Sequence, residues 1–289
     1  MNKTLLLCDS ASDLSFEQEK KLGFRVVNCG VELDGIPYED RAEVNSEKIY
    51  EFVAQTGMMP HTSQITVIQF IEEYLRAVKE GYLNIICVTM NAQGSGTNSA
   101  ANHAVQVFMK EYPALAGKIK IRVVDSRTYS FAIVLPMLTA AERLKKGENP
   151  DKVADWLEEY YKSEITIVGL MGLQYAKKSG RLNACAALVG EVLGIKPIMS
   201  ITGENKVLEK TRGDKALIAR MAKMYMDMAE DPKHGEYIVA YGNNLPQAKE
   251  LIAEIKKLGG KAPVLIGPIG PCVAINAGPK MLGLGFRCK

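Results

Sequence analysis

Three histidines in 289 residues leave little from which to build a metal centre, and His61, His103 and His234 stand outside ligand spacing of one another and of any cysteine pair. The chain also lacks the GxSxG, HExxH, CxxC and GxxxxGK(S/T) patterns, so the sequence carries no signal for a hydrolase elbow, a zinc protease, a dithiol redox site or a P-loop. Charge is nearly balanced, 36 basic against 33 acidic residues, where a nucleic-acid binder would show a clustered basic excess. No apolar run approaches the roughly 20 residues that span a bilayer; Phe131 to Leu138 is broken by Pro136. Leu5 to Cys8 is only four residues, against roughly 7 to 15 for the apolar region of a secretory signal. Six scattered cysteines, Cys8, Cys29, Cys87, Cys185, Cys272 and Cys288, do not form the dense pattern of a secreted disulfide scaffold and read as reduced thiols. These absences point to a cytoplasmic, folded protein that neither spans a membrane nor binds nucleic acid, monomeric, with no metal and no cofactor.

What is present is an alternation of strand-like and helix-length segments, the pattern of an α/β protein with a parallel sheet and crossover helices. Strands are expected at Thr4–Cys8, Arg25–Leu33, Leu83–Met90, Ile119–Val124 and Thr166–Leu170. Helix signals include a capping box at Ser15 and Gln18, a cap at Ser46, and an apolar stripe of Val67, Ile68, Ile71, Tyr74, Leu75 and Val78. Length suggests two domains. The long helical stretch with the only tryptophan, Trp156, runs to about Lys162, which divides the chain into 1–162 and 163–289, with the final residues able to pack back on the first domain. The second domain is expected to hold a mixed or antiparallel sheet. Ile195–Thr202 and Lys206–Thr211 flank the turn Gly203-Glu204-Asn205 as a hairpin, helices lie near 214–229 and 246–258, strands at Tyr237–Tyr241 and Ala262–Ile266, and a Gly/Pro-rich segment from Gly267 to Gly285 closes the chain.

The most informative segment is Gln93-Gly94-Ser95-Gly96-Thr97-Asn98-Ser99, which follows a buried-type strand and opens a helix. Glycines allow close backbone approach, and hydroxyls beside a helix start offer donors to an anion. Asp9-Ser10, Asp125-Ser126 and His61-Thr62-Ser63-Gln64 fall at comparable places, so the four loops outline one cleft for an anionic or polar head group. The same residues also make ordinary caps and turns, and the sequence leaves both readings open.

Asp9-Ser10-Ala11-Ser12-Asp13-Leu14, Tyr38-Glu39-Asp40, Thr62-Ser63-Gln64, Ser95-Gly96-Thr97 with Ser99-Ala100, Asp125-Ser126, Lys178-Ser179-Gly180-Arg181, Ile195-Lys196-Pro197-Ile198 and Gly278-Pro279 occur in that order. In this the chain resembles the DegV family, fatty-acid-binding proteins that present acyl chains to fatty acid kinase. The resemblance implies a two-domain lipid carrier rather than an enzyme, with a long-chain fatty acid as ligand and the catalytic subunit of fatty acid kinase as partner. The carboxylate would meet Thr62, Ser63, Ser95, Gly96, Thr97 and Asn276, with Ser10 and Ser126 on nearby polar loops. The tail would enter a slot between the domains. Arg181, Lys178 and Gly278 are the implied kinase-facing residues. The chain departs from the pattern at Asn276, where relatives carry His, and at Ile65, Ala132, Val134 and Lys280. Two alternatives remain at this level: a carrier of another apolar anion, and a phosphotransferase or hydrolase using the same Ser/Thr loops.

Overall fold

The computed structural model describes residues 3–181 and 194–289, so Cys185 lies outside the described residues. The first strand, β1 (Lys3–Asp9), is an almost wholly buried apolar run, as a strand covered on both faces requires. The chain then turns through a short 3-10 segment into α1 (Phe16–Leu22), where Ser15 and Gln18 form the expected capping box. The expected Arg25–Leu33 strand divides in two. β2 (Arg25–Val27) pairs parallel to β1, whereas β3 (Gly30–Leu33) leaves for a separate three-stranded antiparallel sheet with β4 (Ile36–Glu39) and β5 (His61–Ser63). The break falls at Cys29, whose N–H donates to the buried Ser10 hydroxyl at 3.0 Å instead of continuing a ladder.

Between β4 and β5 runs α2 (Ser46–Thr56), capped by Asn45 and not by Ser46. The Ser46 hydroxyl instead donates to the Ile269 carbonyl at 2.5 Å, a long-range tie. In α3 (Val67–Lys79) the buried face is Phe70, Tyr74 and Ala77, while Ile68, expected in the stripe, is 68% exposed. Aromatic packing sets that rotation, since Tyr74 meets both Phe70 and Phe108 with ring centroids 6.1 Å apart. β6 (Tyr82–Thr89), α4 (Thr97–Glu111), the short α5 (Pro113–Ala116) and β7 (Lys120–Asp125) complete a parallel sheet of order β2-β1-β6-β7.

Next comes α6 (Phe131–Lys145), in which every residue from Phe131 to Met137 is buried. A helix apolar on all sides must be enclosed on all sides. It packs on β1 of the parallel sheet and on strands of the second sheet. That approach needs glycine: a Cβ at Gly285 would lie 2.9 Å from the Ala132 Cβ, and one at Gly267 would press on the Phe131 ring.

α7 (Pro150–Ser163) passes directly into β8 (Glu164–Leu170). A mixed sheet follows, built from β8, β9 (Ile195–Ser200), β10 (Lys206–Arg212), β11 (Tyr237–Tyr241), β12 (Leu265–Pro268) and β13 (Met281–Arg287), in the order β10-β9-β8-β13-β11-β12. β9 and β10 form the expected hairpin, and β11 with β12 is the parallel pair. The strand expected at Ala262–Ile266 is found at Leu265–Pro268, two to three residues later. The terminal Gly/Pro-rich segment hides a helix, Pro271–Ala277, and β13, which is central and pairs with both β8 and β11. The larger apolar core is shared, running from β1 and β6 through α6 to Val168, Met199, Ile238 and Met281.

Candidate functional site

Where the loops after β6 and β7, strand β5, the β9–β10 hairpin and the Pro271–Ala277 helix meet, they enclose a cavity of about 320 Å³, within the usual size of small-molecule sites. Met90, Val168, Ile201, Val273, Ala277, Met281, Cys29 and Cys272 supply its apolar wall; Thr62, Ser63, Gln64, Ser95, Gly96, Asn205, Asn276 and Arg181 supply its polar rim. Ser63, Gln64 and Arg181 are exposed, so the rim reaches the surface. There it continues into a polar recess lined by Asn91, Gln93, Gly203 and Glu204.

Each wall is positioned by identifiable contacts. β5 reaches the cavity because β3 offers Gly30 opposite Ser63, and a Cβ at Gly30 would collide with the Ser63 hydroxyl. Gln64 lies over Gly96, and Tyr129 lies over Gly94, with equally little room for a side chain at either glycine. Ser95 sits at the start of α4: its hydroxyl accepts from the Thr97 N–H at 3.2 Å and pairs with the Thr97 hydroxyl at 3.0 Å. When the Thr97 hydroxyl donates in that pair, the Ser95 O–H is left to point into the cavity. The opposite wall is fastened by Asn91, whose amide donates to the Gly203 carbonyl at 2.6 Å, and by the Gly203 N–H, which donates to the Arg127 carbonyl at 2.7 Å.

The Pro271–Ala277 helix turns Cys272, Val273, Asn276 and Ala277 toward the cavity, the i, i+1, i+4, i+5 spacing of one helical face. Its start is held by the buried Asp13 from a distant segment, with a second buried aspartate, Asp40, beside it. Asp13 accepts from the Gly270 N–H at 2.8 Å. Asp40 faces the Cys272 N–H and the Ser10 hydroxyl, although neither makes a well-formed hydrogen bond to it. Burial pushes Asp13 well above the usual carboxylate range and Asp40 up to about 6. Asp9 is pushed up to about 7 by burial, against the opposing pull of N–H groups from Met90 and Ala11.

Of the residues singled out from the sequence, Thr62, Ser63, Ser95, Gly96, Asn276 and Arg181 all come together at the cavity. Thr97 is fully buried and serves Ser95. Ser10 and Ser126 do not reach the cavity: both are fully buried, Ser10 accepting from the Cys29 N–H and Ser126 exchanging hydrogen bonds with the Thr128 backbone at 3.3 Å. The turn reading holds for those two loops, because hydroxyls under a sheet edge must satisfy local backbone groups first. Asn276 lines the cavity and donates one side-chain N–H to the Cys272 carbonyl at 3.0 Å. Lys178 is exposed and donates to the Gly57 carbonyl at 3.0 Å, away from the cavity. Gly278, at φ +77, closes the helix against the Tyr175 ring. Cys29, Asn205 and the aspartate-held helix start were missed in the sequence, since nothing local marks residues joined only by the fold. No group of three His, Cys, Asp or Glu side chains among the described residues is placed to hold a metal ion, and none of the described helices is long and apolar enough to cross a membrane.

An α/β molecule with an apolar cavity and a rim of hydroxyls offers two kinds of surface, one apolar and one polar, within a single recess. The chain belongs to the DegV family: residues 3–289 match the family described as "Uncharacterised protein, DegV family". Among similar proteins, a fatty acid-binding protein of Thermotoga maritima is 29% identical, with 99% of this chain and 98% of its own covered. A solved Thermotoga maritima structure described as revealing fatty acid binding function is 27% identical with a TM-score of 0.83, covering 100% of both chains. A DegV family protein from Thermus thermophilus, described for its fatty acid binding, is 26% identical with a TM-score of 0.85, covering 99% of this chain and 100% of its own.

Proposed function

We propose that this protein binds one long-chain fatty acid in the cavity, tail against the Met90–Val168–Ile201–Met281 wall and carboxylate among Thr62, Ser63 and Ser95, and presents that carboxylate for phosphorylation by a separate kinase subunit. The observation that carries the reading is the division of a single cavity into an apolar wall and a hydroxyl rim. Burying about 14 methylenes at ~0.8 kcal/mol each gives ~11 kcal/mol gross, reduced by the cost of ordering the ligand. A carboxylate leaving water loses several kcal/mol unless strong donors replace its hydration, and hydroxyls aimed at it do so. Presentation is supported by the exposure of Ser63, Gln64 and Arg181 and by the adjoining polar recess, which leave the head-group end open while the tail is enclosed.

Native mass spectrometry of freshly purified protein should show about one fatty acid per chain. Oleate added to delipidated protein at 100 times its Kd should stabilise the fold by about 2.7 kcal/mol. Apo mass alone together with an unmoved melting temperature would overturn the binding reading; bound lipid with no acyl phosphate formed by any DegV-coupled kinase would overturn the presentation step.

A further inference from the structure

We propose that Cys29 and Cys272 are a disulfide-forming pair in the cavity wall, oxidised by a peroxide that enters through the space an acyl chain fills. Among the described residues both are buried free thiols, both line the one cavity, and the Cys29 side chain is the first influence on the Cys272 thiol. They come from segments far apart in sequence, brought to one wall where the Cys29 carbonyl accepts from the Asp40 N–H at 3.1 Å and Asp40 also faces the Cys272 N–H, and each is held in place. Cys29 is fixed through its N–H on Ser10; Cys272 lies in the first turn of the Pro271–Ala277 helix, behind the Asp13 anchor at Gly270. The other described thiols lack this combination. Cys8 is bound to Ser12, Cys8 and Cys87 lie in the parallel sheet away from the cavity, and Cys288 is beside the C-terminus.

In the reaction one thiolate attacks a peroxide oxygen and the O–O bond breaks, giving a sulfenic acid and hydroxide, which takes a proton. The second sulfur then attacks the sulfenic sulfur and expels water. Two S–H bonds are lost, one S–S bond forms, and hydrogen peroxide is reduced to two waters. The Cys272 thiol is pushed well above its ordinary value, first by its hydrogen bond with Cys29 and then by burial, so the step is slow at neutral pH and quickens in alkali.

The entry route rests on the fatty-acid reading; the pairing does not. Delipidated folded protein treated with hydrogen peroxide, then alkylated and mapped by peptide mass spectrometry, should yield a Cys29–Cys272 crosslink that dithiothreitol reverses and Cys29→Ser abolishes. Recovery of both residues as alkylated thiols, or a map dominated by other pairs, would overturn the pairing. With oleate at about ten times its Kd, roughly a tenth of the chains stay empty, and crosslinking should slow about tenfold. An unchanged rate in a sample whose melting temperature oleate has raised would overturn the entry route. If oleate leaves the melting temperature unmoved, the carrier reading fails, while the crosslink in the empty protein still decides the pairing.

Discussion

At the scale of single residues, Thr62 and Ser95 allow the proposed ligand contact to be tested apart from folding. Thr62 stands half-buried on β5 facing the cavity, whereas Ser95 also serves the start of α4 through the Thr97 N–H. Thr62→Val keeps the side-chain shape and removes a donor. It should weaken fatty acid affinity by roughly 1 to 3 kcal/mol and leave the empty protein within about 0.5 kcal/mol of wild type, as calorimetric titration and thermal melts would show. Ser95→Ala should weaken binding similarly and also cost the empty protein about 1 kcal/mol, the usual loss of a helix-start hydrogen bond. Wild-type affinity in the double variant would move the carboxylate away from these loops. The candidate site was readable here because its hydroxyls lie in short motifs. Ser10 and Ser126 misled because a motif shows which residues share a loop end but not which of them the sheet edge covers.

At the scale of elements, the Pro271–Ala277 helix shows why part of the architecture was illegible. Its seven residues lie in a stretch rich in Gly and Pro that reads as loop; Pro271 suits the first position, where no N–H is needed, but the anchor that holds the start, the Asp13 carboxylate, comes from 257 positions away in sequence. β13 was hidden for a related reason, since Gly283 and Gly285 depress strand propensity yet Gly285 is what lets α6 approach. The parallel strands β1 and β6, by contrast, were legible because each carries a continuous buried apolar run. The anchor is testable. Asp13 is at φ +60, a conformation Asn tolerates as readily as Asp, and an Asn oxygen can still accept from Gly270. Asp13→Asn should therefore stay within about 1 kcal/mol of wild type, while Asp13→Ala should lose about 2 kcal/mol and bind fatty acid less well because Val273 and Ala277 are released. Equal damage from both variants in urea unfolding would show that the anchor works by charge and not as an acceptor.

At the scale of the whole molecule, the parallel and mixed sheets are joined through buried groups as well as through α6. The Thr128 hydroxyl, just after β7, pairs with the Thr166 hydroxyl of β8 at 2.8 Å, and Thr166 donates to the Glu164 carboxyl at 2.8 Å. The other Glu164 oxygen has no hydrogen-bond partner. Burial pushes Glu164 from its ordinary 4.5 up to about 8, with only the Thr166 hydrogen bond opposing. The folded chain therefore keeps a proton that the unfolded chain has released between those two values. Stability must fall as pH rises through that window and level off above it. Asp9 and Asp40, also raised, add the same sign over a lower range. Glu164→Gln removes the titrating group while keeping an oxygen to accept from Thr166, and leaves Asp9 and Asp40 unchanged. Melting temperatures followed from pH 5 to pH 9 should show the variant gaining on wild type as pH rises, with the difference flat above about pH 8. Parallel curves across the range would mean that Glu164 titrates as it does in the unfolded chain, and the junction between the sheets would then carry a charge despite its burial.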